Sequence, residues 1–162
     1  MKIIGLDLST HSTGYCVFEN KKLIEHGCIT ATSTNLLKRI DKIVKELEEI
    51  ITKHNDTEKI IMEEVIPSVG KNVKTWKALL YLQAIFSMML FKKFNKIETE
   101  FIYPSSWRAK IGIHTGKGIT RDKLKAADIA FVKNKYNIDV NDDTADAIGI
   151  ASASFTENSF FI

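Results

Sequence analysis

The sequence predicts an α/β fold in which a five-stranded mixed β-sheet is flanked by α-helices. Three observations lead there. The first thirty residues hold three strand-like runs joined by tight turns, which is an antiparallel meander. The hydrophobic period then changes from two to that of an amphipathic helix. Two more strand-like runs alternate with helical ones before the chain ends in helices, giving the order βββαβαβαα.

At 162 residues the chain fits a single domain, 1–162, with one sizeable core. A composition of 44% apolar and 27% charged residues is that of a globular protein rather than a disordered or fibrous one. No apolar run approaches the roughly 18 residues that a membrane span needs. Asp7 interrupts the N-terminal apolar run, which is too short for a signal peptide. The expected compartment is therefore the cytoplasm, with Cys16 and Cys28 reduced.

Residues 2–8 read as a buried strand, and 13–19 and 22–30 as its antiparallel followers. Asn20-Lys21 between the latter two is a short hairpin connection in which Asn can take the left-handed conformation. Leu36, Leu37, Ile40, Ile43, Val44, Leu47, Ile50 and Ile51 recur at helical spacing, with a charged opposite face. Residues 58–64 form a fourth strand ending in acids, and Pro67 and Gly70 mark a loop. From Val73 to Phe94 a second helix is apolar nearly all round, which places it at the centre of the fold or against a second subunit. That pattern predicts a homodimer seam built on Trp76, Leu80, Phe86, Met88 and Met89. Residues 98–103 make a fifth strand stopped by Pro104. Thr120 caps a helix to about Asn137, and Asn141 or Asp142 caps a last helix, 142–155. Its Ala, Gly and Ser residues permit close packing on the sheet.

The chemistry lies in carboxylates set in apolar surroundings. Asp7 sits near the end of a buried strand, where a charge is costly unless paired or bound to a cation. Glu63 and Glu64 end the fourth strand, and alternation sends them to opposite faces, so at most one joins Asp7. Asp143 and Asp146 leave one face of the last helix about 5–6 Å apart, although Asp142 also lies one turn before Asp146. Carboxylates about 5 Å apart repel by roughly 3 kcal/mol at an effective dielectric of 20, so a cluster of four needs protons or cations. All-oxygen ligands select hard ions, Mg²⁺ or Mn²⁺. The four histidines are scattered, with no pair at zinc spacing. The stretch Gly112-Ile113-His114-Thr115-Gly116-Lys117-Gly118 lacks the spacing and the Ser or Thr of a phosphate loop.

Charge is uneven along the chain. Residues 64–125 carry twelve Lys and Arg against four Asp and Glu, while the rest carries eleven against sixteen. A basic middle points to a polyanionic partner, and acidic ends point to cation binding.

With these residues in view, the chain resembles the RuvC family of Holliday junction resolvases, in the RNase H-like superfamily, and its phage-type branch in particular. The resemblance rests on Ile4-Gly5-Leu6-Asp7-Leu8-Ser9 with Thr13-Gly14-Tyr15, on Met62-Glu63-Glu64-Val65, and on Asp143-Thr144-Ala145-Asp146-Ala147-Ile148. Tyr103-Pro104-Ser105-Ser106-Trp107-Arg108 and the basic helix after Thr120 extend it over nearly the whole chain. It implies Asp7, Glu63, Asp143 and Asp146 as metal-binding catalytic acids, which selects Glu63 over Glu64 and Asp143 over Asp142. It also implies a homodimer that nicks four-way junctions symmetrically, with two Mg²⁺ per site and Mn²⁺ able to substitute.

One position departs from that pattern. Ile66 stands where many cellular members carry an aromatic wedge, which predicts broader action on forks and other branched DNA. Lys71, Lys74, Lys77, Arg108, Lys110, Lys117 and Arg121 are the expected phosphate contacts. The rival readings are a branched-DNA-binding protein that does not cut, an RNA-cleaving RNase H, and a nucleotide-binding domain of the actin and sugar-kinase type. The last begins with a similar Asp-containing turn but needs a second such domain; no nucleotide cofactor is expected here.

Overall fold

The computed structural model describes residues 1–66 and 72–156. Five strands, β1 (Lys2–Asp7), β2 (Ser12–Glu19), β3 (Lys22–Thr30), β4 (Lys59–Glu63) and β5 (Glu98–Ile102), form one sheet in the order β3-β2-β1-β4-β5. The first three run antiparallel as a meander, and β4 and β5 add in parallel to β1. Asn20 and Lys21 at the β2–β3 turn both take positive φ, 49° and 67°, as a two-residue hairpin loop requires.

Five helices cover the sheet: α1 (Leu36–Lys53), α2 (Val73–Lys93), α3 (Pro104–Lys110), α4 (Arg121–Tyr136) and α5 (Asp142–Ser152). Side-chain alternation along the strands divides the core into two layers. Ile4, Leu6, Ile60 and Met62 face α1 and α2, where Ile40, Ile43, Leu47, Leu82 and Phe86 complete one layer. Ile3 and Ile61 face the other way, against Trp107 and the Ala147, Ile148 and Ala151 side of α5.

α5 lies very close to the sheet. A Cβ on Gly5 would come 2.5 Å from the Ala147 carbonyl oxygen, and any side chain on Gly14 would run into the backbone of Asp143 and Thr144. Thr144 Oγ1 donates to the Gly27 carbonyl at 3.1 Å and ties the first turn of α5 to β3. The cap is Asn141, whose side chain accepts from the Thr144 N–H at 2.9 Å.

α3 is an element that the sequence reading did not include. Pro104, read as a strand stop, is the first residue of a seven-residue helix. Proline suits that position because its fixed φ is helical and its missing N–H has no helical partner there anyway. A helix this short carries too few apolar repeats to show a period.

The seam expected on α2 also needs correction. Phe86 and Met89 are buried in this chain's own core, and Trp76 and Leu80 are half-buried; Met88 is exposed. The apolar side chains left open on α2 are Val73, Tyr81, Ile85, Met88 and Phe91. From Tyr81 onward they follow helical spacing along one stripe. An all-apolar helix hides which stripe faces the sheet, and packing resolves it. Lys71, with the loop read at Pro67 and Gly70, lies outside the described residues.

Candidate active site

Four carboxylates meet at one end of the sheet. β1 and β4 are parallel, and their register pairs Gly5 with Ile61 and Leu6 with Met62. Asp7 and Glu63 therefore close adjacent strands side by side, on the same face as Ile3 and Ile61. That is the α5 face. Glu64 follows just outside β4, where its carboxylate accepts from the Val65 N–H at 3.1 Å. The close seat of α5 then brings Asp143 and Asp146 over the same strand ends. Asp142 turns away to an ion pair with Lys125 of α4.

The carboxylates feel one another. Burial pushes the Asp7 carboxyl well above the ordinary value, and the charges of Glu63 and Asp143 push it further; Arg108 and Lys125 oppose the shift. Asp146 is pushed up to about 9, first by burial, then by the negative charge of Asp7, and then by a carboxyl–carboxylate hydrogen bond and like charge from Asp128. Asp146 Oδ1 is buried without a hydrogen-bond partner. Such an oxygen invites a cation or a proton.

Each of three acids is engaged by a local donor. Trp107 Nε1 donates to Glu63 Oε2 at 2.8 Å. The Ser12 hydroxyl donates to Asp143 Oδ2 and also lies 3.0 Å from Cys28 Sγ. Arg108 forks onto Asp128 at 3.0 and 2.8 Å and reaches Asp146 Oδ2 at 3.5 Å. In this arrangement no three His, Cys, Asp or Glu side chains among the described residues are posed around a single ion. The donor chemistry nevertheless fits a hard cation: several oxygens, desolvated, mutually repelling, and one of them orphaned.

The basic residues divide differently from the sequence expectation. Lys74, Lys77, Lys110, Lys117 and Arg121 are exposed. Arg108 is buried. It is 9% exposed, clamped by Asp128 and stacked 4.1 Å over the Trp107 ring. Lys125, Ser12, Trp107 and Asp128 belong to the site's surroundings and were not singled out for it. For Asp128 a signal existed. It falls between Leu124 and Val132 at four-residue spacing, an acid on an otherwise apolar helical stripe, and it is 1% exposed. Ser12 was indistinguishable from its neighbours Ser9, Thr10 and Thr13.

The Asp146 shift sets a pH dependence. A carboxyl with a higher pKa folded than unfolded holds its proton more tightly in the folded chain, so stability falls as pH rises from the ordinary 3.8 towards about 9. Thermal unfolding of metal-free protein should show its midpoint dropping across that window. Asp146→Asn should reduce the drop and raise the midpoint at pH 8; an unchanged pH slope contradicts the assignment.

Comparison with known proteins agrees with this geometry. The family model described as crossover junction endodeoxyribonuclease RuvC matches residues 3–153. The crossover junction endodeoxyribonuclease RuvC of Brachyspira hyodysenteriae is 30% identical, over 99% of this chain and 98% of that protein. Among solved structures, T. thermophilus RuvC in complex with a Holliday junction substrate superposes with a TM-score of 0.74 at 12% identity, covering 94% of this chain and 91% of that one. The yeast mitochondrial Holliday junction resolvase gives 0.58 at 16% identity, over 93% and 76%. These two likenesses show the shared RNase H-like fold. The chain is a member of the RuvC family of crossover junction endodeoxyribonucleases.

Proposed function

We propose that this protein, as a single nuclease domain, cuts four-way DNA junctions by metal-dependent phosphodiester hydrolysis. Asp7, Glu63, Asp143 and Asp146 hold two Mg²⁺ ions in this reading, with Mn²⁺ able to substitute. The observation that carries it is the gathering of those four carboxylates at one end of the sheet, with the Asp146 Oδ1 atom buried and unpartnered. Hard divalent ions bound there would supply an activated water and charge stabilisation for the leaving oxygen. The chain's own groups do the rest. Trp107 and Ser12 hold the Glu63 and Asp143 carboxylates, and Asp128 holds the Arg108 guanidinium beside Asp146. That guanidinium supplies a fixed positive charge at the place where phosphate arrives. Lys74, Lys77, Lys110, Lys117 and Arg121 are exposed, and in this reading they meet the DNA backbone without reading bases.

The cytoplasm is the proposed working compartment, and no helix of the described residues is long and apolar enough to cross a membrane. Ile66 is 39% exposed and offers no aromatic face for stacking on a base, so forks and other branches are proposed substrates alongside four-way junctions. A purely binding protein is a poorer reading, because clustered acids weaken DNA contact.

The open apolar stripe on α2 is the proposed homodimer surface. It spans Tyr81, Ile85, Met88 and Phe91, the last 73% exposed. A second copy would set two active sites on one junction.

Two measurements follow. A labelled synthetic four-way junction and a linear duplex of matching sequence are incubated with Mg²⁺ or with EDTA. Paired nicks should appear in the junction alone and in Mg²⁺ alone, and Asp146→Asn should abolish them while junction binding persists or tightens. Tight binding by the unmodified protein with no nicks in Mg²⁺ or Mn²⁺ would replace the nuclease by the non-cutting binder. In sedimentation, the double variant Ile85→Glu and Met88→Glu should run at half the mass of the unmodified protein with unchanged circular dichroism. A variant that stays dimeric places the seam elsewhere.

A further inference from the structure

Trp107 does more than fill the core. It is fully buried, and its ring occupies the space left by Gly149, where a Cβ would lie 2.5 Å from the ring edge. The Arg108 guanidinium covers the ring at 4.1 Å. Packed on both sides, the indole has no freedom to swing, so the direction of its N–H is set by the fold. That N–H points at Glu63 Oε2, 2.8 Å away.

The backbone reinforces this direction. β5 pairs in register with β4, Ile102 opposite Glu63, and α3 starts two residues later at Pro104. A short rigid path of chain therefore links the indole to the strand beside the carboxylate. The donor is also neutral, so an indole N–H orients the carboxylate without bringing a charge of its own. Asp143 is held by a hydroxyl that can rotate, and Asp146 by a charged group at 3.5 Å.

We propose that Trp107 is a positioning residue for Glu63, its indole N–H holding the carboxylate in the orientation in which it takes a divalent cation. The inference rests on the reading of Glu63 as a metal ligand. Donors that orient metal-binding side chains typically change metal affinity by about 10–100-fold when removed.

The test is Mn²⁺ binding, measured without DNA. Trp107→Phe keeps a ring in the Gly149 space and deletes the N–H. Its calorimetric Mn²⁺ affinity should fall by about tenfold or more, while thermal unfolding and junction binding in EDTA change little. The Mg²⁺ concentration for half-maximal cleavage should rise in proportion, with a smaller change in the rate at saturating Mg²⁺. A second measurement leaves Trp107 in place. The chain has two tryptophans, so in a Trp76→Phe background the emission reports Trp107 alone. Mn²⁺ should quench it with a midpoint matching calorimetry, and adding Glu63→Gln should remove that response.

Unchanged affinity in Trp107→Phe, or emission blind to Mn²⁺ that calorimetry shows to be bound, overturns the positioning role while leaving the metal centre standing. Unmodified protein that binds no Mn²⁺ overturns the metal-centre reading, and this inference with it.

Discussion

The approach of α5 to the sheet is the constraint on which the site depends. Asp7 and Glu63 are brought together by strand pairing, but Asp143 and Asp146 reach them only because α5 seats its first turns directly on β1 and β2. Gly5 and Gly14 make that possible, since a side chain at either position would strike the helix backbone. Ala147 and Ala151 do the same from the helix side. Apolar burial then stabilises the contact, and Thr144 fastens the end of α5 that carries the acids. The small residues are thus part of the candidate site's architecture, although none has chemistry of its own.

Bringing four carboxylates into that space is unfavourable, and the surroundings are arranged to tolerate it. Two positive side chains lie close: Arg108 from α3 and Lys125 from α4, each held by an acid outside the cluster, Asp128 and Asp142. Both lower the cost of the Asp7 charge, though less than burial and the neighbouring acids raise it. The buried Arg108–Asp128 pair is bidentate, the geometry in which a desolvated ion pair comes nearest to compensating its own desolvation. Its position suggests why an ion pair sits there in place of apolar packing. It fixes a guanidinium beside Asp146, where a hydrophobic residue would leave the acid alone. The remaining imbalance is what a bound cation would relieve in the proposed reading.

Much of this was legible from the chain alone, for definite physical reasons. Strand and helix periods differ, so the meander, the helices and the strand ends stood out, and an acid closing a buried strand is conspicuous. Alternation alone left Glu63 and Glu64 open because either face could have been the α5 face; in the structure Glu63 stands beside Asp7. Asp142 and Asp143 both lie in the first turn of α5; in the structure Asp142 pairs with Lys125 and Asp143 lies near Asp7. α3 stayed hidden because seven residues cannot display a period. On α2 the reverse problem arose. Apolar residues on every side signal burial without saying which side is buried, so Phe86 and Met89 were placed on a seam when they belong to the core. The pairing of Arg108 with Asp128 was not legible, because twenty positions separate them and only folding brings them together.

The central claim is that the four carboxylates form a cation site. A crystal grown with Mn²⁺ and examined by anomalous scattering tests it most directly. The account predicts anomalous peaks bounded by Asp7, Glu63, Asp143 and Asp146, with Arg108 still clamped by Asp128. Anomalous peaks confined to other surfaces, with these four side chains unmoved, would contradict it.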